Sequence, residues 1–144
     1  NFRKMKRLLT LLTLTLCVAV VAMAQSGLHV GKLFTLLRGN PNASVTCVQG
    51  RALKDYKLSL FNSLTVANDP ALAKQVEDAL AKDARSAVDR EVHYKDGRLH
   101  YAFYNLGADS NGLNRYILYS GGSPIVLIYL EGKAKPDVIN SFFK

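Results

Sequence analysis

The chain has 144 residues, with 19 Lys and Arg against 11 Asp and Glu, two Cys, no Trp and a hydrophobic share of 49%. That is the length of one domain, too apolar for a disordered chain and too poor in Cys for a disulfide scaffold. The formal charge of +8 is no argument for nucleic acid: four basic residues fall in the first seven positions, leaving 15 basic against 11 acidic side chains, or +4, an ordinary surface balance.

The N-terminus reads as an address. Residues 1–4 precede the first Met and are taken as an upstream extension. From Met5 there is a basic pair, Lys6-Arg7, an apolar run from Leu8 to Ala22 broken only by Thr10, Thr13 and Thr15, and then Ala22-Met23-Ala24 before Gln25. Small side chains at −3 and −1 suit a signal peptidase pocket, so cleavage after Ala24 is expected. The run is shorter than the ~20 apolar residues of a spanning helix. A lipid-anchored Cys17 is disfavoured, because Leu16 stands where that chemistry wants a small residue. The expected product is residues 25–144, secreted or periplasmic, with no transmembrane span. Cys47 would then be its single cysteine, read as a small buried hydrophobe with an unreactive thiol.

Along the mature chain, Val30, Leu33, Phe34 and Leu37 are spaced for a short helix, stopped by Gly39-Asn40-Pro41. Ser44–Val48 and Lys57–Ala67 read as strands. Asp69-Pro70 opens a helix, with Asp69 as cap and Pro70 in the first turn, where its missing N–H costs nothing. That helix is predicted to run to about Val88, with an apolar stripe of Leu72, Val76, Leu80, Ala84 and Ala87 and an Asp78–Lys82 pair on its wet face.

Four period-two runs follow: Glu91–Lys95, Arg98–Leu106, Leu113–Ser120 and Ile125–Glu131. Short Gly-rich turns join them, which predicts an antiparallel meander. Lys135-Pro136-Asp137 starts a last helix, with Val138, Ile139, Phe142 and Phe143 on its apolar side. The predicted order is α-β-β-α-β-β-β-β-α, a single α+β domain.

Three of these segments, Leu53–Val66, Ala87–Leu106 and Asn114–Ile139, resemble a family of small secreted proteins of Bacteroidetes classed as a domain of unknown function. The resemblance implies an exported α+β domain and carries no activity and no functional residues.

Two features merit attention as chemistry. If Asp96-Gly97 is a two-residue turn, His93 faces His100, with Glu91 two residues along on the same face, a weak candidate set for Zn²⁺ or Cu²⁺. Lys95 and Arg98 beside them oppose a cation. In that register Val92, Tyr94, Leu99, Tyr101 and Phe103 form the core side. Tyrosines cluster in the meander, and Tyr104, Tyr116, Tyr119 and Tyr129 are a candidate binding surface, since an exposed ring offers area at low entropic cost.

No catalytic motif stands out. Nothing matches G-x-S-x-G, H-E-x-x-H or C-x-x-C, and Asp109-Ser110-Asn111-Gly112 lacks the later ligands of a calcium loop. The expectation is a non-enzymatic exported module, with no cofactor and no nucleic acid, that binds a protein or glycan of the envelope through its sheet. A structural accessory of an envelope complex is the alternative, and a metal protein or enzyme using His93, His100 and Glu91 the third.

Overall fold

A computed structural model describes residues 27–142. The expected signal segment and the last two residues lie outside that range. The elements are α1 (His29–Leu36), β1 (Ala43–Gln49), a 3-10 helix (Gly50–Tyr56), β2 (Leu58–Val66), α2 (Pro70–Ala84), β3 (Asp89–Lys95), β4 (Arg98–Ala108), β5 (Asn114–Ser120), β6 (Ile125–Gly132) and α3 (Pro136–Ser141). The fold is the expected α+β domain, and β3 to β6 form the expected meander.

All six strands make one antiparallel sheet, in the order β1-β2-β6-β5-β4-β3. The last strand therefore sits at the centre, and β1 and β3 are the edges. Both faces of the sheet are covered. On one face α1 and α2 pack on Leu60, Leu64, Ala102, Tyr104, Ile117, Tyr119, Leu127 and Tyr129. On the other, Leu53 of the 3-10 helix and Ala134 and Ile139 of the C-terminal segment pack on Phe61, Phe103, Tyr116, Leu118, Ile128 and Leu130. Central strands buried on both sides read as nearly continuous apolar runs, as β6 does.

Local chemistry accounts for the element starts. Asp69 Oδ1 accepts from the Leu72 N–H at 3.1 Å, and Pro70 opens α2. The helix stops at Ala84, short of Val88, because the Val88 N–H donates to the Asn105 carbonyl at 2.8 Å and joins the sheet. Asp78 pairs back with Lys74 at 3.0 Å rather than forward with Lys82.

No side chain of its own caps α1. Asp83, from the far end of α2 and only 3% exposed, does so instead. Its two oxygens accept from the His29 N–H at 2.9 Å and the Val30 N–H at 2.8 Å, and the His29 ring nitrogen Nδ1 lies 2.9 Å from Oδ1. A carboxylate at a helix N-terminus satisfies orphan donors and meets the favourable end of the helix dipole.

Cys47 departs from expectation. It is half-buried on the edge strand β1, packed against the helix-covered face, and it is disulfide-bonded rather than a free thiol. The other cysteine of the sequence, Cys17, lies outside the described residues. A mature chain reckoned to hold one cysteine ruled out an internal bridge and made an intermolecular one the lesser reading.

Candidate functional site

The β3–β4 hairpin turns at Asp96-Gly97, both at positive φ, and Lys95 pairs with Arg98 and Tyr94 with Leu99 as expected. The register then shifts. His93 pairs with Tyr101, so His100 is the extra residue of a bulge in β4. His93 and His100 do not face each other, and His100 is exposed with its carbonyl accepting from the Gly121 N–H at 2.9 Å. The one-residue shift also reassigns the faces. Glu91 and His93 share a face with Tyr101 and Phe103, while Val92, Leu99, Ala102 and Tyr104 lie on the other. Phe103 is core, as expected; Tyr94, expected beside it, is 70% exposed.

Glu91 and His93 do come together, with Glu91 Oε1 3.0 Å from His93 Nε2. An ionised carboxylate only accepts, so the imidazole donates from Nε2. Glu91 Oε2 accepts from Asn140 Nδ2 of α3 at 3.1 Å, which ties the edge strand to the last helix. The His93 ring lies 5.7 Å from that of Tyr101. Burial, assisted by the charge of Glu91, pushes the Tyr101 phenol up to about 12. Among the described residues no group of three His, Cys, Asp or Glu side chains is placed to hold a metal ion.

The four tyrosines offered as a binding surface are inside. Tyr104, Tyr116, Tyr119 and Tyr129 are each at most 6% exposed. Three of the hydroxyls have partners: Tyr116 donates to the Ala134 carbonyl at 2.6 Å, Tyr119 to Glu77 at 3.1 Å and Tyr129 to Glu131 at 2.9 Å. The physical reason is the double cover of the sheet, which buries both faces of β5, β6 and the second half of β4 where these rings lie.

A cleft opens instead where α3 leaves the edge of the sheet. It has a volume of about 460 Å³ and is lined by Asp89, Arg90 and Glu91 of β3, Phe103 of β4, and Pro136, Asp137 and Asn140 of α3. Three carboxylates line it, while the Arg90 guanidinium lies 6.0 Å from the centre of the Tyr104 ring, on the opposite face of the sheet. The cleft therefore carries carboxylates from both β3 and α3, together with the Phe103 ring and the Asn140 amide. Of this set only Glu91 was named from the sequence as a candidate site residue. Asn140 and Asp137 gave no signal, because their place over β3 is set by how the C-terminal segment docks.

The Asp109 turn closes on itself. Asp109 Oδ1 accepts from the N–H groups of Asn111 and Leu113 at 2.8 and 2.9 Å, an arrangement for shaping a loop.

Comparison with known families gives one result. A model described as "Family of unknown function (DUF6108)" matches residues 17–143. The chain belongs to DUF6108. No curated protein and no solved structure matches it significantly. Membership of DUF6108 thus brings no activity and no ligand, and what the site does has to be argued from its geometry.

Proposed function

We propose that this DUF6108 chain is an exported, non-enzymatic binding module of the cell envelope, and that it holds a protein partner at the cleft between β3 and α3. The observation that carries this reading is the cleft itself. It combines three carboxylates (Asp89 and Glu91 of β3, Asp137 of α3), an aromatic ring (Phe103) and a strand, β3, that is an edge of the sheet among the described residues. An edge strand offers hydrogen bonds to an extended polypeptide, and carboxylates beside an aromatic ring suit the stem and charge of a Lys or Arg side chain. The basic start, the apolar run and Ala22-Met23-Ala24 support export. No helix among the described residues is long and apolar enough to cross a membrane.

Affinity capture from envelope extract, comparing the wild-type protein with Asp137→Lys, tests the reading. Asp137 is exposed, so the substitution is compatible with folding, which a melting curve checks. A partner retained by the wild-type protein and lost by the variant is the expected result. Equal retention by both rules out the cleft. Intact mass of the exported product tests the address: loss of everything before Gln25 is expected, and retention of residues 8–22 overturns it. Cleavage after Ala24 removes Cys17, so Cys47 of the cut chain could not be bridged to it. The mass measured without reductant decides that point.

A further inference from the structure

We propose that Glu131 and Arg115 form a proton-operated latch on the connection between β4 and β5. Glu131 of β6 is 6% exposed and lies directly across the sheet from Arg115 of β5 on one side and Leu60 of β2 on the other. Opposite residues of antiparallel strands share a face and stand within side-chain reach of each other. The guanidinium nevertheless gives its Nε and Nη2 donors to main-chain carbonyls. Arg115 Nε donates to the Gly107 carbonyl at 3.4 Å and Nη2 to the Leu106 carbonyl at 3.2 Å, at the point where β4 shifts register. Among the described residues no ion pair joins Arg115 to Glu131.

The groups facing Glu131 are few. On its own strand Tyr129, fully buried, donates its hydroxyl to Oε2 at 2.9 Å. On β5 there is Arg115. From the β4–β5 connection comes Asp109, whose Oδ2 is buried and has no hydrogen-bond partner. The facing residue of β2, Leu60, is apolar, and Asn62, diagonal to Glu131, is 7% exposed with its Oδ1 also lacking a donor. Burial pushes the Glu131 carboxyl above its ordinary value of 4.5. The charge of Asp109 adds to the rise, while the Tyr129 hydroxyl and Arg115 oppose it. The carboxyl therefore holds its proton to higher pH than an exposed Glu does, and two further oxygens in the same neighbourhood have no hydrogen-bond donor.

While Glu131 is neutral, Arg115 meets no carboxylate directly across the strand and gives its donors to the two carbonyls, which pins the end of β4, just before the connection, to β5. Loss of the proton puts a carboxylate opposite the guanidinium. A carboxylate offers the guanidinium a full opposite charge where a carbonyl offers only a dipole, and low local dielectric strengthens that attraction. Arg115 then moves to Glu131, and the Leu106 and Gly107 carbonyls lose their donors. The turn held by Asp109, through the Gly112 and Leu113 N–H groups, loosens with them. The sign follows from the raised carboxyl. The latch is closed below the ordinary carboxylate value and opens as pH rises through the higher value of the folded state.

The test is a pH series by NMR on the full chain, reading the Glu131 carboxyl carbon, the Arg115 Nε resonance and the exchange protection of the Gly112 and Leu113 amides. We expect the carboxyl midpoint to lie above 4.5 and Arg115 to shift with the same midpoint. Protection at Leu113, corrected for intrinsic exchange, should fall at least about threefold above it, a factor equivalent to a modest local opening. In Glu131→Gln the Arg115 resonance and the protection should both be flat across the series. A Glu131 midpoint at or below 4.5 overturns the latch, and so does an Arg115 shift that persists in Glu131→Gln. Should that variant fail to fold, the wild-type titration decides alone, because Arg115 and Glu131 moving with different midpoints also overturns it.

Discussion

Replacing Asp83 by Ala tests whether one buried carboxylate holds the first helix in place. The side chain is 3% exposed and accepts from two consecutive main-chain N–H groups of α1, at 2.9 and 2.8 Å. Val30 is fully buried, so water cannot replace the lost acceptor at its N–H. A buried donor left unpaired costs about 1–3 kcal/mol, and removing an anion from a partly buried helix N-terminus costs about 0.3–2 kcal/mol. Together these put Asp83→Ala near 3 kcal/mol, a large share of the ~5–15 kcal/mol by which a domain is stable. Asp83→Asn keeps one acceptor and loses the charge, and should cost about 1–2 kcal/mol. His29→Ala is the control. Its imidazole is 47% exposed and provides only the third contact, so it should cost under about 1 kcal/mol. Urea denaturation followed by circular dichroism gives all three values, and the Ala variant should shift the midpoint by about 1–2 M. A cost below about 1 kcal/mol for Asp83→Ala, or one equal to that of His29→Ala, refutes the capping argument.

The face assignment predicts that Phe103→Ala costs about 3–5 kcal/mol, while His93→Ala, at an exposed position, costs no more than about 0.5 kcal/mol. Comparable losses at both would mean the register is wrong. Gly132→Ala should cost at least about 2 kcal/mol, since an added Cβ would meet the Lys57 carbonyl oxygen at 2.5 Å and Leu58 Cα at 2.6 Å, both main-chain atoms that cannot yield; a neutral outcome in a melting curve would show that β2 gives way there. Tyr101, Tyr119 and Tyr129 all hold their protons above the ordinary value of 10, through burial first and then the nearby carboxylates Glu91, Glu77 and Glu131. The unfolded chain releases those protons near 10, so stability should fall as pH rises past 10. Tyrosinate absorbance should therefore rise together with unfolding, and its complete appearance in a chain that is still folded would contradict the buried positions.

Much of the architecture was legible because it is written locally. Asp69-Pro70 marks its helix start by capping chemistry, Asp96-Gly97 its turn by positive φ, and period-two runs separated by glycines mark the meander. What the sequence hid has a common cause in two-sided burial. With both faces apolar, alternation no longer says which side of β4 is inside, and the bulge at His100 then moves His93 away from its expected partner. The same double cover turned four tyrosines from candidate surface into core. The 3-10 helix at Gly50–Tyr56 follows no amphipathic period long enough to notice, although Leu53 is fully buried. Asp83 was within reach: it lies on the stripe of Val76 and Leu80, and an acidic residue on an apolar stripe asks for a partner. The cleft was not within reach, because Asn140 meets Glu91 only through the docking of α3.

The sheet order has a consequence for how the chain comes together. The hairpin of β1 and β2 is made early in the sequence, yet the inner neighbour of β2 is β6. Until Ile125–Gly132 arrives, β2 and β5 each present an open edge, with Leu60, Phe61, Leu64, Ile117 and Leu118 bare on either side of the gap. Truncation before Ile125 would thus split the sheet into two unpaired halves rather than trim its border. Such halves cannot fold in instalments, and pairing between their edges on different chains is the hazard they carry. The two halves of the sheet meet only through β6, so the sheet is completed when Ile125–Gly132 takes its place between them.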